Sequence, residues 1–179
     1  MSNRLKYRMY FFVPYNLSDI QKSIQAGHSA LEYAVKYKNE KDFEEFVFWD
    51  KTWIVLNGGT SNDGHLGDKK GSMQEYYDML RDKGIHHAVF YEPDINSALT
   101  AICFLADERV WDYENYVDFK DYFINSLDER DYQTINRIRK TEYDILIKEH
   151  VDVYKKWSET IGGEKNVFLR ELLKGKKLA

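Results

Sequence analysis

Residues 7–13 are mostly aromatic and β-branched and stop at Pro14, the pattern of a buried strand that ends in a turn. Ser18-Asp19-Ile20-Gln21 has the form of a capping box: Ser18 accepts from the Gln21 amide, and the Gln21 side chain reaches back to the Ser18 amide. A helix is predicted from there to about Tyr37. Its apolar positions Ile20, Ile24, Gly27, Leu31 and Ala34 recur in steps of four and three, which predicts that this face packs on a sheet. Lys41 to Trp49 reads as a short second helix and Thr52 to Asn57 as a strand. Half of the 10 glycines then fall between Gly58 and Gly71, which predicts a flexible loop. Ser72-Met73-Gln74-Glu75 reads as a second capping box, opening a helix that Gly84 closes. His87–Tyr91 and Leu99–Leu105 read as two further strands.

The resulting β-α-β-α-β-β order predicts an α/β domain over residues 1–106, a three-layer arrangement of a four-stranded mixed sheet with helices on its faces. From Asp107 the strand signal ends. Tyr132, Ile135, Ile138, Ile145, Leu146, Val153 and Trp157 keep roughly helical spacing, which predicts an α-helical C-terminal extension over 107–179. Gly162-Gly163 should break it before a last helix through Val167, Phe168, Leu172 and Leu173, ending at Gly175.

Composition narrows the partners. The net charge of −4 is shared by both regions, with 12 basic and 14 acidic side chains in 1–106 and 14 and 16 in 107–179, so the field of the whole molecule does not attract phosphate. The basic tail Lys165, Arg170, Lys174, Lys176 and Lys177 reads as a solvated helix end. A single cysteine, Cys103, excludes an internal disulfide and fits a reducing, cytoplasmic setting. Tyr10–Val13 is too short an apolar run to span a bilayer, so no membrane partner is expected.

Two segments carry candidate chemistry. On the first helix Gln21, Gln25, His28 and Glu32 fall on neighbouring positions of one stripe, which could line a cleft. Glu92-Pro93-Asp94 follows a strand and Thr100 opens the next, so a carboxylate and a hydroxyl at adjacent strand ends could position a water or a substrate hydroxyl. The plainer reading is a tight connection capped by Asp94 or Asn96. His86 and His87 point to opposite faces of a strand, and His65 and His150 have no second ligand at a productive spacing, so no metal and no cofactor are expected. The glycine-rich loop has neither a Walker pattern nor a dinucleotide fingerprint, although Lys69 and Lys70 could touch a phosphate.

Over residues 7–106 the chain resembles the archaeal and eukaryotic type of peptidyl-tRNA hydrolase, whose first helix reads glycine-lysine-x-x-x-glutamine-x-x-histidine-alanine. Gln25-Ala26-Gly27-His28-Ser29-Ala30 matches the second half of that pattern, Thr100 to Leu105 matches the family's last strand, and Glu92 falls where the family has an aspartate. The family's lysine lands on Gln21; the nearest amine, Lys22, lies about 100° around the helix. The loop before Thr100 is shorter than the family's. This is similar to a divergent branch of the kind found in bacteriophages, and 107–179 has no counterpart in it.

The resemblance implies hydrolysis of the ester joining a peptide to tRNA. His28 and Glu92 would move protons or order water, Thr100 would hold the substrate carbonyl or ribose, Gln25 would orient it, and Lys22 would contact phosphate; Gln21, Asp94 and Asn96 complete the expected substrate-binding set. The alternative is a non-catalytic binding module that uses the same cleft for a nucleotide, an RNA end or a protein. The C-terminal helices would then offer a surface for a protein partner or for self-association. A Lys22 or Lys36 that reaches the pocket favours the enzyme; a Gln21 that only caps favours the binding module.

Overall fold

A computed structural model describes residues 5–61, 71–128 and 130–179. Most of the glycine-rich loop, with His65, Lys69 and Lys70, lies outside the described residues. By contact the chain divides into two compact units, Met1–Glu108 with Leu173–Ala179, and Arg109–Leu172.

In the first unit β1 (Tyr7–Pro14), α1 (Asp19–Tyr37), α2 (Lys41–Glu45) with a π-helical turn (Phe46–Asp50), β2 (Trp53–Gly59), α3 (Ser72–Asp82), β3 (His87–Glu92) and β4 (Ala98–Asp107) follow in order. The sheet order is β2-β1-β4-β3, with β1 parallel to β2 and antiparallel to β4, and β4 antiparallel to β3. This is the α/β, four-stranded mixed sheet that the sequence predicts. A parallel pair needs a crossover, and α1 with α2 provides it between β1 and β2.

Strand alternation sorts the sheet into two packed faces. Met9, Phe11 and Val13 with Ala101, Cys103 and Leu105 meet Ala26 and Tyr33 of α1. Phe12 stacks on Tyr76 of α3 across the other face, their centroids 4.4 Å apart, beside Phe104. Burial on this scale explains why β1 and β4 read as continuous apolar runs. Cys103 is packed inside, and desolvation pushes its thiol up to about 12.

Two local expectations are corrected. Helix α3 is capped by Gly71, with no side-chain cap bond. Ser72 is already helical, and its hydroxyl donates to the Gly58 carbonyl at 2.7 Å and accepts from the Thr60 amide at 2.9 Å, tying α3 to the end of β2 instead of closing a capping box. The second correction concerns α1. The stripe assigned to the sheet faces outward: Ile20 is 75% exposed, Ile24 48% and Leu31 68%. The buried residues are Gln25, Ala26, Ser29 and Tyr33. The capping box at Ser18 and Gln21 forms as predicted.

The final residues return to the sheet. The Lys177 carbonyl accepts from the Asn57 amide and the Ala179 amide donates to the Val55 carbonyl, both at 3.0 Å, so the tail covers the free side of β2. At the opposite edge, Lys36 Nζ and Tyr37 Oη donate to the His87 carbonyl.

The second unit gathers short helices, α4 (Glu108–Trp111), α5 (Phe119–Asn125), α6 (Tyr132–Lys140), α7 (Tyr143–Glu149), α8 (Val151–Thr160) and α9 (Glu164–Leu173). Phe119, Phe123, Ile138, Leu146, Trp157 and Ile161 form its core. The buried Trp157 indole donates to the Val117 carbonyl at 3.0 Å, and the buried Arg170 guanidinium bonds Asp118 and the Arg109 carbonyl.

Two outcomes follow from this packing. A Cβ at Gly58 would collide with Met73 Sδ and stand 3.2 Å from the Val13 nitrogen, so Gly58→Ala should destabilise the protein by about 1–3 kcal/mol in urea titrations. The buried His87 imidazole is held below the ordinary value of 6.5, chiefly by desolvation, with its bond to the Ile85 carbonyl opposing. Below that value the unfolded chain binds a proton that the native imidazole refuses, so stability falls as pH drops from 7 toward 5. The urea midpoint measured over that range should fall less steeply in His87→Gln.

Candidate functional site

The register of β3 against β4 passes from Phe90↔Ala101 to Tyr91↔Leu99 and Glu92↔Ala98, leaving Thr100 without a ladder partner. An extra residue of this kind is a β-bulge, which re-aims a side chain. Here it turns the Thr100 hydroxyl toward α1, onto the face that already carries Ala101. The same alternation puts Phe90 and Glu92 on that side.

Gln25 meets them from above. Thr100 Oγ1 donates to Gln25 Oε1 at 2.5 Å, and Gln25 Nε2 donates to Glu92 Oε2 at 2.5 Å. The donors fix the sense of the chain: the hydroxyl proton goes to the amide oxygen, and the amide proton goes to the carboxylate. Thr100 is only 1% exposed, and the Phe90 carbonyl also lies 3.3 Å from its oxygen. Residues 67 and 75 positions apart are thus joined through one side chain. Only one oxygen of Glu92 is taken by this bond.

His28 sits one helical turn beyond Gln25, its ring 4.4 Å from that of Phe90. Its Nδ1 is buried with no hydrogen-bond partner among the described residues. Lys22 lies one turn before Gln25 on the inward side, its side chain only 14% exposed and its Nζ 3.4 Å from Asp19 Oδ1. Gln21 caps the helix from an exposed position. Glu32 is exposed as well. Asp94 and Asn96 stand exposed on the turn between β3 and β4, where Asn96 takes a left-handed backbone. Of the predicted residues, the structure therefore brings Gln25, Glu92 and Thr100 into direct contact, sets His28 and Lys22 one turn to either side, and leaves Gln21, Asp94 and Asn96 at the rim.

Beside His28 opens a feature that the sequence reading missed. An apolar groove of about 710 Å³ runs between α1 and the π-helical turn, lined by Ile24, Leu31, Phe46, Val47 and Trp53 among others. The signal was present as the 20-24-27-31 stripe, but the same spacing describes a core face. No three His, Cys, Asp or Glu side chains gather as metal ligands among the described residues. No described helix is long and apolar enough to cross a membrane.

No protein-family model matches the chain, and no curated protein matches it.

The buried triad predicts its own measurement. Thr100→Val keeps the shape and removes the donor, leaving Gln25 Oε1 unsatisfied inside the protein. Chemical denaturation should show a loss of about 1–3 kcal/mol, more than for the Gln25→Leu/Thr100→Val double variant, in which both partners become apolar.

Proposed function

We propose that the first unit is a peptidyl-tRNA hydrolase-like esterase that cleaves the bond between a peptide and the terminal ribose of tRNA. The observation that carries this reading is the Thr100–Gln25–Glu92 chain, which holds a carboxylate in a defined orientation, with the His28 ring packed on Phe90 of the same strand as Glu92. Ester hydrolysis needs an activated water and a counter-charge for the developing oxyanion. In this proposal the Glu92 oxygen outside the Gln25 bond takes a proton from water, and the resulting hydroxide attacks the ester carbonyl. His28, through Nε2, returns a proton to the departing ribose oxygen, so that water and ester become acid and alcohol. Thr100 and Gln25 act as positioning residues, since the hydroxyl is buried and its proton is committed.

In this reading Lys22, whose side chain is largely covered and whose Nζ pairs with the exposed Asp19, would leave that pair to hold a backbone phosphate of the tRNA acceptor end. Gln21 only caps the helix, which favours the binding module. The reading belongs to a cytoplasmic protein without a resident metal or cofactor.

A second reading, a non-catalytic module, draws on the groove: a large apolar cleft touching His28 suits binding as well as turnover. One experiment separates the two. With N-blocked aminoacyl-tRNA as substrate, the purified protein should release the blocked amino acid. Glu92→Gln and His28→Ala should lower kcat by about 10²–10⁴-fold, and Lys22→Ala should raise KM more than it lowers kcat. Absence of release by the natural sequence, with tRNA still bound in a filter assay, would replace the esterase by the binding module.

A further inference from the structure

Helix α1 presents two opposed faces. Its inward face carries Lys22, Gln25, Ala26, Ser29 and Tyr33, while the outward face carries Ile20, Ile24, Leu31 and Val35, between 48% and 76% exposed. Steps of four and seven on an exposed helix form the seam through which one helix packs on another. With Val47 and Trp53 across the groove, these six residues expose roughly 600 Å² of apolar surface, at or above the largest patch that a monomer ordinarily tolerates.

We infer that this face is a self-association surface, on which α1 pairs antiparallel with α1 of a second copy of this chain. Two observations select a second copy over another occupant. The stripe is symmetric about a point between Gly27 and His28, so a two-fold axis there sets Ile24 against Leu31 and Ile20 against Val35 at both ends, the self-complementarity that an isologous dimer requires. At that centre stands Gly27. A Cβ built there meets nothing within 4 Å, so nothing inside the chain requires a glycine, and the notch lets a second backbone approach closely. The patch approaches the area of about 800 Å² that a standard interface takes from each partner, and the neighbouring Phe48 and Trp49, 66% and 81% exposed, would extend it. This inference does not depend on the esterase reading, and a second copy seated here would cover the groove beside His28 that the binding reading uses.

Sedimentation velocity on the full chain over about 1–100 μM tests it, a range in which an interface of this size should associate. The natural sequence should form a dimer. Leu31→Lys and Ile24→Lys should each weaken it by about tenfold or more, with circular dichroism unchanged. Gly27→Gln supplies a variant that cannot be confused with misfolding: it replaces a helix-weakening residue by a helix former, so the melting temperature of the protomer should rise while the dimer is lost. Ile24→Cys mixed with Leu31→Cys should form a crossed disulfide more readily than either protein alone. A natural sequence that stays monomeric throughout the range overturns the inference, whether or not another protein binds the face. So does a dimer that ignores all three substitutions, or cross-linking that is no faster in the mixture.

Discussion

A buried amide must find partners for both its oxygen and its nitrogen, and Gln25 finds them on the hairpin that closes the sheet. That constraint fixes how α1 lies. To bring Gln25 down to Thr100 and Glu92, the helix turns inward the side bearing Ala26, Ser29 and Tyr33, and its most hydrophobic stripe is left outside. The arrangement of cleft, groove and outer face follows from which side of one helix reaches the β-bulge. Small side chains at Ala26 and Ser29 let the helix sit close to the sheet, and the Ser29 carbonyl accepts from the Cys103 thiol.

Much of the scaffold was legible because its signals are local or strongly periodic. The apolar runs of β1 and β4, the Ser18 capping box and the glycine stops act within a few residues, and the β-α-β-α-β-β order then leaves few ways to build a sheet. The orientation of α1 was not legible. Two stripes run along it, one rich in isoleucine and leucine, the other mixing Gln25 and Ser29 with Tyr33. Hydrophobic spacing alone ranks the first as core. What decides the matter is a set of hydrogen bonds to residues that lie 67 to 75 positions away, which no local window contains. The start of α3 was misplaced for a related reason: Ser72 spends its hydroxyl on Gly58 and Thr60, a tertiary use of a residue that would otherwise cap.

The candidate site was partly legible. Glu92 and Thr100 were named from their residue types and their places at adjacent strand ends, Gln25 from a polar stripe on the first helix and from the resemblance, and they stand in contact. The order of the chain, hydroxyl to amide to carboxylate, depends on the bulge, and a bulge leaves little trace in a sequence with no glycine at the position. Lys22 illustrates the limit of alignment by counting. The resemblance sets a lysine at Gln21, which caps the helix, whereas the side chain turned toward the covered side is Lys22.

Thr100 is a surplus residue in its strand, since the ladder on either side of it alternates correctly without it. Sheet and chemistry are therefore separable here. A chain one residue shorter at that point could pair β3 with β4 and keep Ala98 and Leu99 on their present sides, yet would have no hydroxyl to seat the glutamine. Kindred folds could thus lose or acquire this buried hydrogen-bonded chain through a single-codon insertion or deletion, with the architecture persisting around it.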